Sequence, residues 1–191
     1  LQGEAESFAE HIIIAGFGRV GQTVAKVLAA CGVPYVALDL DQARVTQGRG
    51  AGLPLYYGDA SRVDVLEAAG IERARAAVIT IDRALQAGQT VAALHQRMPG
   101  LQIFVRSHDM GHSHELERQG ATAVVPETVE ASLQIGGIVL SAIGVSTDDI
   151  NRVMDEFRQN NYARLDGLAE AASVGDGKDG QGRDEEGQGR V

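Results

Sequence analysis

Short apolar runs rich in β-branched residues alternate with runs of helical periodicity from His11 onward, an alternation typical of βαβ units. We predict six strands, at about Ile12–Ala15, Tyr35–Asp39, Leu55–Tyr57, Ala77–Thr80, Ile103–Arg106 and Ala123–Val125. Because right-handed crossovers join parallel strands, the expected fold is α/β: a Rossmann-like, doubly wound, parallel six-stranded sheet followed by two C-terminal helices. A nucleotide crevice is expected at the carboxyl ends of the strands.

Five helices connect the predicted strands, and several are followed by a glycine that can end a helix. The helices are expected at about Val20–Ala30, Asp41–Gly50, Ser61–Ala69, Ala84–Met98 and Met110–Gln119, and the terminating glycines are Gly32, Gly70, Gly100 and Gly120. Ser61 and Asp64, three residues apart, form a variant of the capping box at the start of the third helix.

After Val125 the pattern contains no further strand. One helix is predicted from Pro126 to the glycine at Gly144, and a second from Ser146 to about Leu165. Their apolar faces need a partner, which is either their own sheet or a second subunit.

The predicted organisation has four parts: a linker at 1–10, a Rossmann nucleotide-binding domain at 11–126, a helical dimerisation segment at 127–165 and a tail at 166–191. Gly, Asp, Glu, Lys and Gln dominate the tail, which cannot bury enough apolar area to order itself, so we predict that it is disordered. The chain starts at Leu1 without a methionine, and the polar residues that follow are typical of a cut linker.

Three glycines follow the first strand in the order Gly16, Gly18 and Gly21, and a helix follows them. In a nucleotide site the first permits the tight turn, the second lets backbone N–H groups approach a pyrophosphate, and the third lets the helix pack on the sheet. Asp39 ends the second strand, where a carboxylate accepts from the ribose hydroxyls and repels a 2′-phosphate. The alternative is a Rossmann-like turn kept only for packing.

Composition narrows the possible partners. The 191 residues carry a formal charge of −9, so the overall field repels nucleic acid and anionic lipid. With 44% hydrophobic residues, one main core is expected. Cys31 is the single cysteine and no signal-peptide pattern is present, which favours exposure to the cytosol. No apolar run approaches the roughly 18 residues that a membrane span needs.

Several motifs in order resemble a known family: His11-Ile-Ile-Ile-Ala-Gly-Phe-Gly-Arg-Val-Gly-Gln, Ala37-Leu-Asp-Leu-Asp41, Tyr57-Gly-Asp-Ala60, Phe104-Val-Arg-Ser-His-Asp109 and Gly120-Ala-Thr-Ala-Val-Val-Pro-Glu-Thr128. Together they are similar to the cytosolic regulatory domain of Kef-type potassium efflux systems and of plastid potassium/proton antiporters. The resemblance covers about 11–165. It implies a dimeric Rossmann domain that hangs from a transmembrane antiporter, binds AMP or NAD(H) but not NADP, and gates transport at the cytosolic face of a bacterial inner membrane or plastid envelope.

The expected nucleotide-binding residues fall at the ends of four strands. They are Gly16, Phe17, Gly18, Arg19, Val20, Gly21, Asp39, Leu40, Asp41, Gly58, Asp59, Ala60 and Arg106. The family places Asp59 at the adenine. In its glutathione-gated branch, Arg19, Arg106 and Asn161 match residues that hold an anionic thiol ligand, glutathione or a conjugate of it, between two subunits. Asn160 is the alternative to Asn161, and Ser107-His108 replaces more basic residues of that branch.

Each polar candidate also has a structural interpretation. Asp41 is expected to cap the second helix, and a cap is the alternative for Asp39 and Asp59. Arg19 is otherwise a solvated surface arginine. His108, His112 and His114 are expected to be a solvated or titrating cluster, the first two on one face of the fifth helix, rather than a metal site.

Two further predictions concern packing. Cys31 is expected to be a small buried hydrophobe at the end of an apolar helix. Tyr56 and Tyr57 are expected to belong to the core and its rim.

Two other functions compete with gating of an antiporter. One is a stand-alone peripheral regulatory subunit of a potassium transporter. The other is an NAD-dependent oxidoreductase, but the helical segment at 127–165 is too short for a substrate domain, and no Tyr-x-x-x-Lys or His-Asp pairing stands out as catalytic. We therefore expect a regulatory domain without catalytic residues.

Overall fold

The computed structural model describes residues 9–159 and Tyr162. Six strands alternate with helices: β1 (His11–Ala15), α1 (Arg19–Ala30), β2 (Tyr35–Asp39), α2 (Gln42–Gly50), β3 (Leu55–Tyr57), α3 (Val63–Ala68), β4 (Ala74–Ile79), α4 (Ala84–Arg97), β5 (Gln102–Ser107), α5 (Met110–Arg118), β6 (Ala123–Pro126), α6 (Glu127–Ala142) and α7 (Thr147–Gln159). A short 3₁₀ turn at Ile71–Arg73 precedes β4.

All six strands are parallel and lie in the order β3-β2-β1-β4-β5-β6. This is the doubly wound Rossmann arrangement, so the predicted α/β fold with two C-terminal helices is confirmed. The strand order reverses between β1 and β4. Ligands of such sheets bind at that switch point, outside the carboxyl ends of the strands.

Neighbouring residues along each strand face opposite sides of the sheet and join different cores. Ile13, Val36 and Leu38 pack into the larger core with residues of α3, α4 and α5. Ile14 and Ala37 belong to a smaller core with residues of α1 and α2. The near-continuous apolar runs of β1 and β2 follow from burial on both faces.

The smaller core does not extend to the far edge of the sheet. On β5 and β6, Ile103, Val105 and Val124 are buried in the larger core, whereas Phe104 and Val125 between them are 36% and 44% exposed. In the described part of the chain, one sheet face at this edge therefore keeps apolar side chains in contact with solvent.

The chain divides within α6 into two compact units, one ending at Ser132 and one beginning at Leu133. In the second unit, α7 lies against the glycines of α6: a Cβ built on Gly137 would lie 3.6 Å from Cγ2 of Ile150. Ser146 caps α7, because its Oγ accepts from the Asp149 N–H, which confirms that helix start. The described residues include neither Leu165 nor the tail at 166–191, and only the last two positions of the linker at 1–10.

Three local predictions are wrong. Ser61 does not cap α3; the helix begins at Val63, and the Ser61 side chain instead donates to Asp59, while Asp64 pairs with Arg62. Gly100 does not end α4 in the left-handed conformation, although Gly32, Gly70 and Gly120 have the positive φ expected of them. Cys31 is exposed, because it is the C-cap residue beyond the last turn of α1.

Other local predictions are confirmed. Tyr56 is buried and Tyr57 is exposed, as expected of core and rim. No helix among the described residues is both long and apolar enough to cross a membrane.

Candidate functional site

A cavity of about 440 Å³ opens at the carboxyl ends of β1, β2, β3 and β4. Its volume falls in the range of small-molecule sites. The residues that line it are Gly16, Gly18, Leu38, Asp39, Leu40, Asp41, Arg44, Gly58, Ala60, Thr80, Ile81, Asp82, Arg83 and Gln86. The cavity therefore lies at the switch point of the sheet.

The three loop glycines are required for different reasons. Gly16 has a φ of +92°, and a Cβ on it would lie 3.1 Å from the Ile81 nitrogen. A Cβ on Gly21 would collide with the Gly16 carbonyl oxygen and lie 2.9 Å from Oγ1 of Thr80. A Cβ on Gly18 would meet nothing within 4 Å. Gly16 and Gly21 are thus explained by packing within the chain, while the space beside Gly18 belongs to the cavity.

Thr80, which follows β4, holds the glycine loop in place. Its Oγ1 donates to the Gly16 carbonyl at 2.8 Å, and the side chain is buried. This contact ties the turn after β1 to the neighbouring strand, so the loop is a preformed feature of the sheet edge.

Among the described residues, no side chain caps the N-terminus of α1. Gly18 is the N-cap and supplies no side-chain hydrogen bond, and the first turn carries no acidic residue. The first intrahelical bond is from the Gln22 N–H to the Gly18 carbonyl. The N–H groups of 19–21, at the positive end of the helix dipole, are therefore suited to an anion.

Asp39 is buried at the end of β2 and forms four hydrogen bonds. Its carboxylate accepts from the backbone N–H groups of Phe17 and Asp41, and both of its oxygens lie 2.8 Å from Nη1 of Arg44. Arg44 also reaches Asp41 at 3.1 Å. The carboxylate predicted to hold the ribose is therefore paired with a cation from the first turn of α2.

The two other carboxylates that were expected to bind the nucleotide, Asp41 and Asp59, have structural roles. Asp41 caps α2 by accepting from the Arg44 N–H at 3.0 Å, as expected, and this hydrogen bond is the main cause that lowers the pKa of Asp41. Asp59 accepts from both the N–H and the hydroxyl of Ser61, so it stabilises the turn before α3. It does not line the cavity.

Arg106 lies beside the cavity in a network of charges. It pairs with Asp82 and with Glu127, and the His108 ring nitrogens lie 3.3 Å from its Nη2. Burial alone lowers the pKa of Arg106, but the two carboxylates together raise it. The hydrogen bond with Arg106 lowers the pKa of Asp82, and the charges of His108 and Arg19 contribute less. Arg19 is exposed in the first turn of α1.

Comparison with known proteins matches residues 12–127 to the TrkA-N domain. The chain belongs to the TrkA-N domain family. It is 44% identical over 172 residues to K(+) efflux antiporter 1, chloroplastic, of Arabidopsis thaliana, a match that covers 90% of this chain and 14% of that protein. It is 35% identical to the glutathione-regulated potassium-efflux system protein KefC of Klebsiella pneumoniae, covering 88% of this chain and 27% of KefC.

A solved structure agrees with these relatives. The C-terminal domain of Shewanella denitrificans Kef in its AMP-bound form superposes with a TM-score of 0.68 at 35% identity, covering 84% of this chain and 98% of that one. The chain thus spans almost all of a Kef C-terminal domain but only 14% and 27% of the two antiporters above. The predicted resemblance to the Kef regulatory domain is confirmed.

The TrkA-N fold brings about half of the expected nucleotide-binding residues to the cavity wall. Those that line it are Gly16, Gly18, Asp39, Leu40, Asp41, Gly58 and Ala60. Phe17, Arg19, Val20, Gly21, Asp59 and Arg106 are not among the lining residues, although Phe17 donates to Asp39 and Gly21 packs under the loop. Asn161 and Asn160 lie outside the described residues.

Sequence reasoning missed the wall that follows β4, formed by Thr80, Ile81, Asp82, Arg83 and Gln86, and it missed Arg44. For the residues after β4, the sequence did contain a signal. The carboxyl ends of parallel strands meet at one sheet edge, so the residues that follow β4 are expected near the glycine loop. For Arg44 the sequence contained no such signal, because its contact with Asp39 depends on the geometry of α2.

The histidines do not form the predicted arrangement. His108 precedes the N-cap Asp109 and so is not on α5, which corrects the expectation that it shares a helix face with His112. Among the residues that the structure describes, no group of three His, Cys, Asp or Glu side chains is arranged to hold a metal ion.

Proposed function

We propose that this TrkA-N domain is the nucleotide-sensing regulatory domain of a potassium/proton antiporter and that an adenine nucleotide, AMP or NAD(H), binds in the 440 Å³ cavity. The observation that carries the proposal is the open start of α1 beside Gly18, in a chain 35% identical to an AMP-bound Kef domain. The N–H groups of 19–21 would hold the phosphate, and Asp39 would accept from the ribose hydroxyls.

Asp39 would also discriminate against NADP, because its carboxylate repels a 2′-phosphate. Arg44 opposes this effect, since its guanidinium lies 2.8 Å from both carboxylate oxygens. In the complex the ribose hydroxyls would either share the Asp39 carboxylate with Arg44 or displace the Arg44 side chain from it. The Arg44→Gln variant should therefore bind AMP at least as well as the parent and bind NADPH more weakly.

Calorimetric titration of the 191-residue chain with AMP, NADH and NADPH tests the site. We expect AMP or NADH to bind more tightly than NADPH, and Asp39→Asn to weaken AMP at least about tenfold through the lost charge-assisted hydrogen bonds. Asp109→Asn, at the cap of α5, is the matched control and should bind AMP as the parent does. Tightest binding of NADPH, or an unaffected Asp39→Asn variant, contradicts the assignment.

The proposed dimer would form through 127–165. The apolar side chains of Ile135, Ile138 and Val139 on α6, and of Ile143 just after it, are between 54% and 72% exposed. A two-fold interface is the commonest way to bury such a face. Light scattering at micromolar concentration should give twice the 20.1 kDa chain mass, and Ile138→Asp should return the mass of one chain while the fold is retained.

A second anionic ligand, glutathione or a conjugate of it, is proposed to act at Arg19 and Arg106 together with Asn161. Arg106 is already engaged by Asp82 and Glu127, so the anion would compete with two carboxylates, whereas Arg19 is exposed. A ligand gates transport only through its different affinities for two arrangements, and a tenfold difference supplies about 1.4 kcal/mol per site.

Flux measurements in proteoliposomes test this gating in the antiporter that contains the domain. Arg19→Ala and Arg106→Ala should change the response of potassium or proton flux to nucleotide and to glutathione conjugates, with equal amounts of folded protein. If the flux through both variants responds as it does in the parent, transport is controlled at another site. Flux that responds only when the domain is supplied as a separate chain supports the peripheral-subunit alternative, and NADH turnover by the domain supports the oxidoreductase alternative.

The proposed location is the cytosolic face of a membrane, either a bacterial inner membrane or a plastid envelope, with the transmembrane domain in the same polypeptide. It is supported by the antiporter relatives from a chloroplast and from bacteria. Hydropathy of the gene product upstream of Leu1 tests it: a series of membrane spans is expected.

A further inference from the structure

A second cavity of about 290 Å³ lies between α1 and α2, away from the glycine loop. One face of α1 and one face of α2 form its walls, Tyr35 contributes from the start of β2, and Phe17 and Leu53 complete it. The residues of the two helix faces are Gln22, Ala25, Lys26 and Ala29 on α1, and Arg44, Gln47 and Gly48 with the following Ala51 on α2. We call this cavity the α1–α2 groove.

The groove is apolar with a cationic component. Its lining includes Lys26 and Arg44 but no Asp or Glu, in a chain whose net charge is −9. Within the described part of the chain, Lys26 forms no ion pair. An apolar groove with an unpaired cation favours a ligand with an apolar body and one anionic group.

Tyr35 supplies a hydrogen-bond donor to the groove. Its side chain is only 8% exposed and lines the groove, yet its hydroxyl has no hydrogen-bond partner among the residues that the structure describes. Burial raises the pKa of this hydroxyl, so it stays protonated and able to donate. The hydroxyl oxygen keeps contact with solvent, so it is free to donate to an acceptor bound in the groove.

Arg44 belongs to both cavities. In the nucleotide cavity its Nη1 holds both carboxylate oxygens of Asp39, and the same side chain lines the α1–α2 groove. An anion in the groove would attract the guanidinium and weaken its hold on Asp39. The carboxylate would then be freer to accept from ribose hydroxyls, so the two sites would support each other.

From these contacts we infer that the α1–α2 groove is a second ligand site, for a small amphipathic organic anion, coupled to the nucleotide cavity through Arg44. The coupling rests on the proposed nucleotide function. The groove itself does not, because its lining residues make a site whether or not a nucleotide binds.

Anilinonaphthalene sulfonate, an aromatic anion that fluoresces when bound, is a suitable probe for the 191-residue chain. Ala29→Leu should weaken the probe at least about tenfold by filling the groove. Lys26→Gln should weaken it about threefold by removing the exposed cation, while neutral N-phenylnaphthylamine should bind Lys26→Gln and the parent equally. The control Ala30→Leu changes a neighbouring exposed α1 residue outside the groove and should leave the probe affinity unchanged.

Titration of AMP in the presence of the probe completes the test. Saturating probe should tighten AMP about fivefold in the parent and leave AMP unchanged in Arg44→Gln. Displacement of the probe by AMP, or probe affinity unaltered in both Ala29→Leu and Lys26→Gln, overturns the groove site. If AMP does not bind at all, the proposed nucleotide function fails while the probe titrations of the variants still decide the groove.

Discussion

Helices α1 and α2 begin at the same edge of the sheet, but of these two only α2 has a side-chain cap at its N-terminus. At α2 the Asp41 carboxylate accepts from the Arg44 N–H, and at α5 Asp109 does the same for His112. At α1 the N-cap is Gly18, which has no side chain to offer and open space where one would be. An uncapped start alone does not decide the phosphate position, because α4 also lacks a side-chain cap and its N-cap Arg83 lines the same cavity. The open space beside Gly18 is what distinguishes α1.

The strongest way to break this comparison is to exchange loop glycines for alanine. Gly21→Ala should cost about 3 kcal/mol of unfolding free energy, because its Cβ collides with the Gly16 carbonyl. In Gly18→Ala the new methyl group meets no atom within 4 Å, so the cost in stability should be only about 1 kcal/mol, because alanine is a poorer N-cap than glycine. AMP should bind at least about tenfold more weakly, since the methyl group enters the cavity. Urea unfolding and calorimetry separate the two. Equal stability of both variants contradicts this division of roles.

Thr80→Val tests whether the loop is held from β4. The substitution keeps the shape but leaves the half-buried Gly16 carbonyl without its 2.8 Å donor, so the free energy of unfolding should fall by about 1 kcal/mol. AMP affinity should fall with it, because the loop is less well positioned. Thr90→Val is the matched control: this buried threonine donates to Gln86 within α4, and AMP affinity should not change. A loss of AMP binding in the control alone refutes the role given to Thr80.

Gly18→Asp sharpens the comparison by giving α1 the kind of cap that α2 has. The new carboxylate can accept from the open N–H groups and should raise stability by a few tenths of a kcal/mol, roughly the difference between Asp and Gly as caps. The same carboxylate would occupy and repel the phosphate position, so AMP should bind at least about tenfold more weakly. Thermal unfolding with and without AMP measures both effects, and retained AMP stabilisation would place the phosphate elsewhere.

The smallest expected effect concerns His11, at the opposite end of β1 from the loop. Burial and, to a lesser extent, the charge of Arg73 lower its pKa, although its hydrogen bond to the Ala69 carbonyl opposes them. Because the unfolded chain takes up the proton first, this contribution to stability is complete above pH 6.5 and declines as the pH falls below it.

Between pH 7 and pH 6 the loss attributable to His11 is at most about 0.7 kcal/mol. His11→Gln keeps a donor for the Ala69 carbonyl without titrating, so unfolding curves at the two pH values should differ less for the variant. An unchanged difference assigns the pH dependence to another group. AMP affinity should be insensitive to the substitution, because it lies at the other end of the strand.

The errors of sequence interpretation have a common cause. The partners and the exposure of a side chain depend on the folded geometry, which the sequence pattern does not fix. Ser61 has the spacing of a cap but donates to Asp59, two residues earlier. Cys31 follows an apolar helix but lies beyond its last turn, in solvent. The pairing of Arg106, near the end of β5, with Asp82 and Glu127 from two other segments was likewise not visible in the sequence.

The sequence by itself determined the six strands, the helices between them and the place of the glycine loop and Asp39. Those features depend on periodicity and on backbone conformations of single residues such as Gly16, which are local properties. Only the tertiary structure decided that Thr80 holds the loop, that Arg44 holds Asp39 and that the uncapped start of α1 lies at a cavity. Such contacts join residues up to 64 positions apart, and their geometry exists only once β4 pairs with β1.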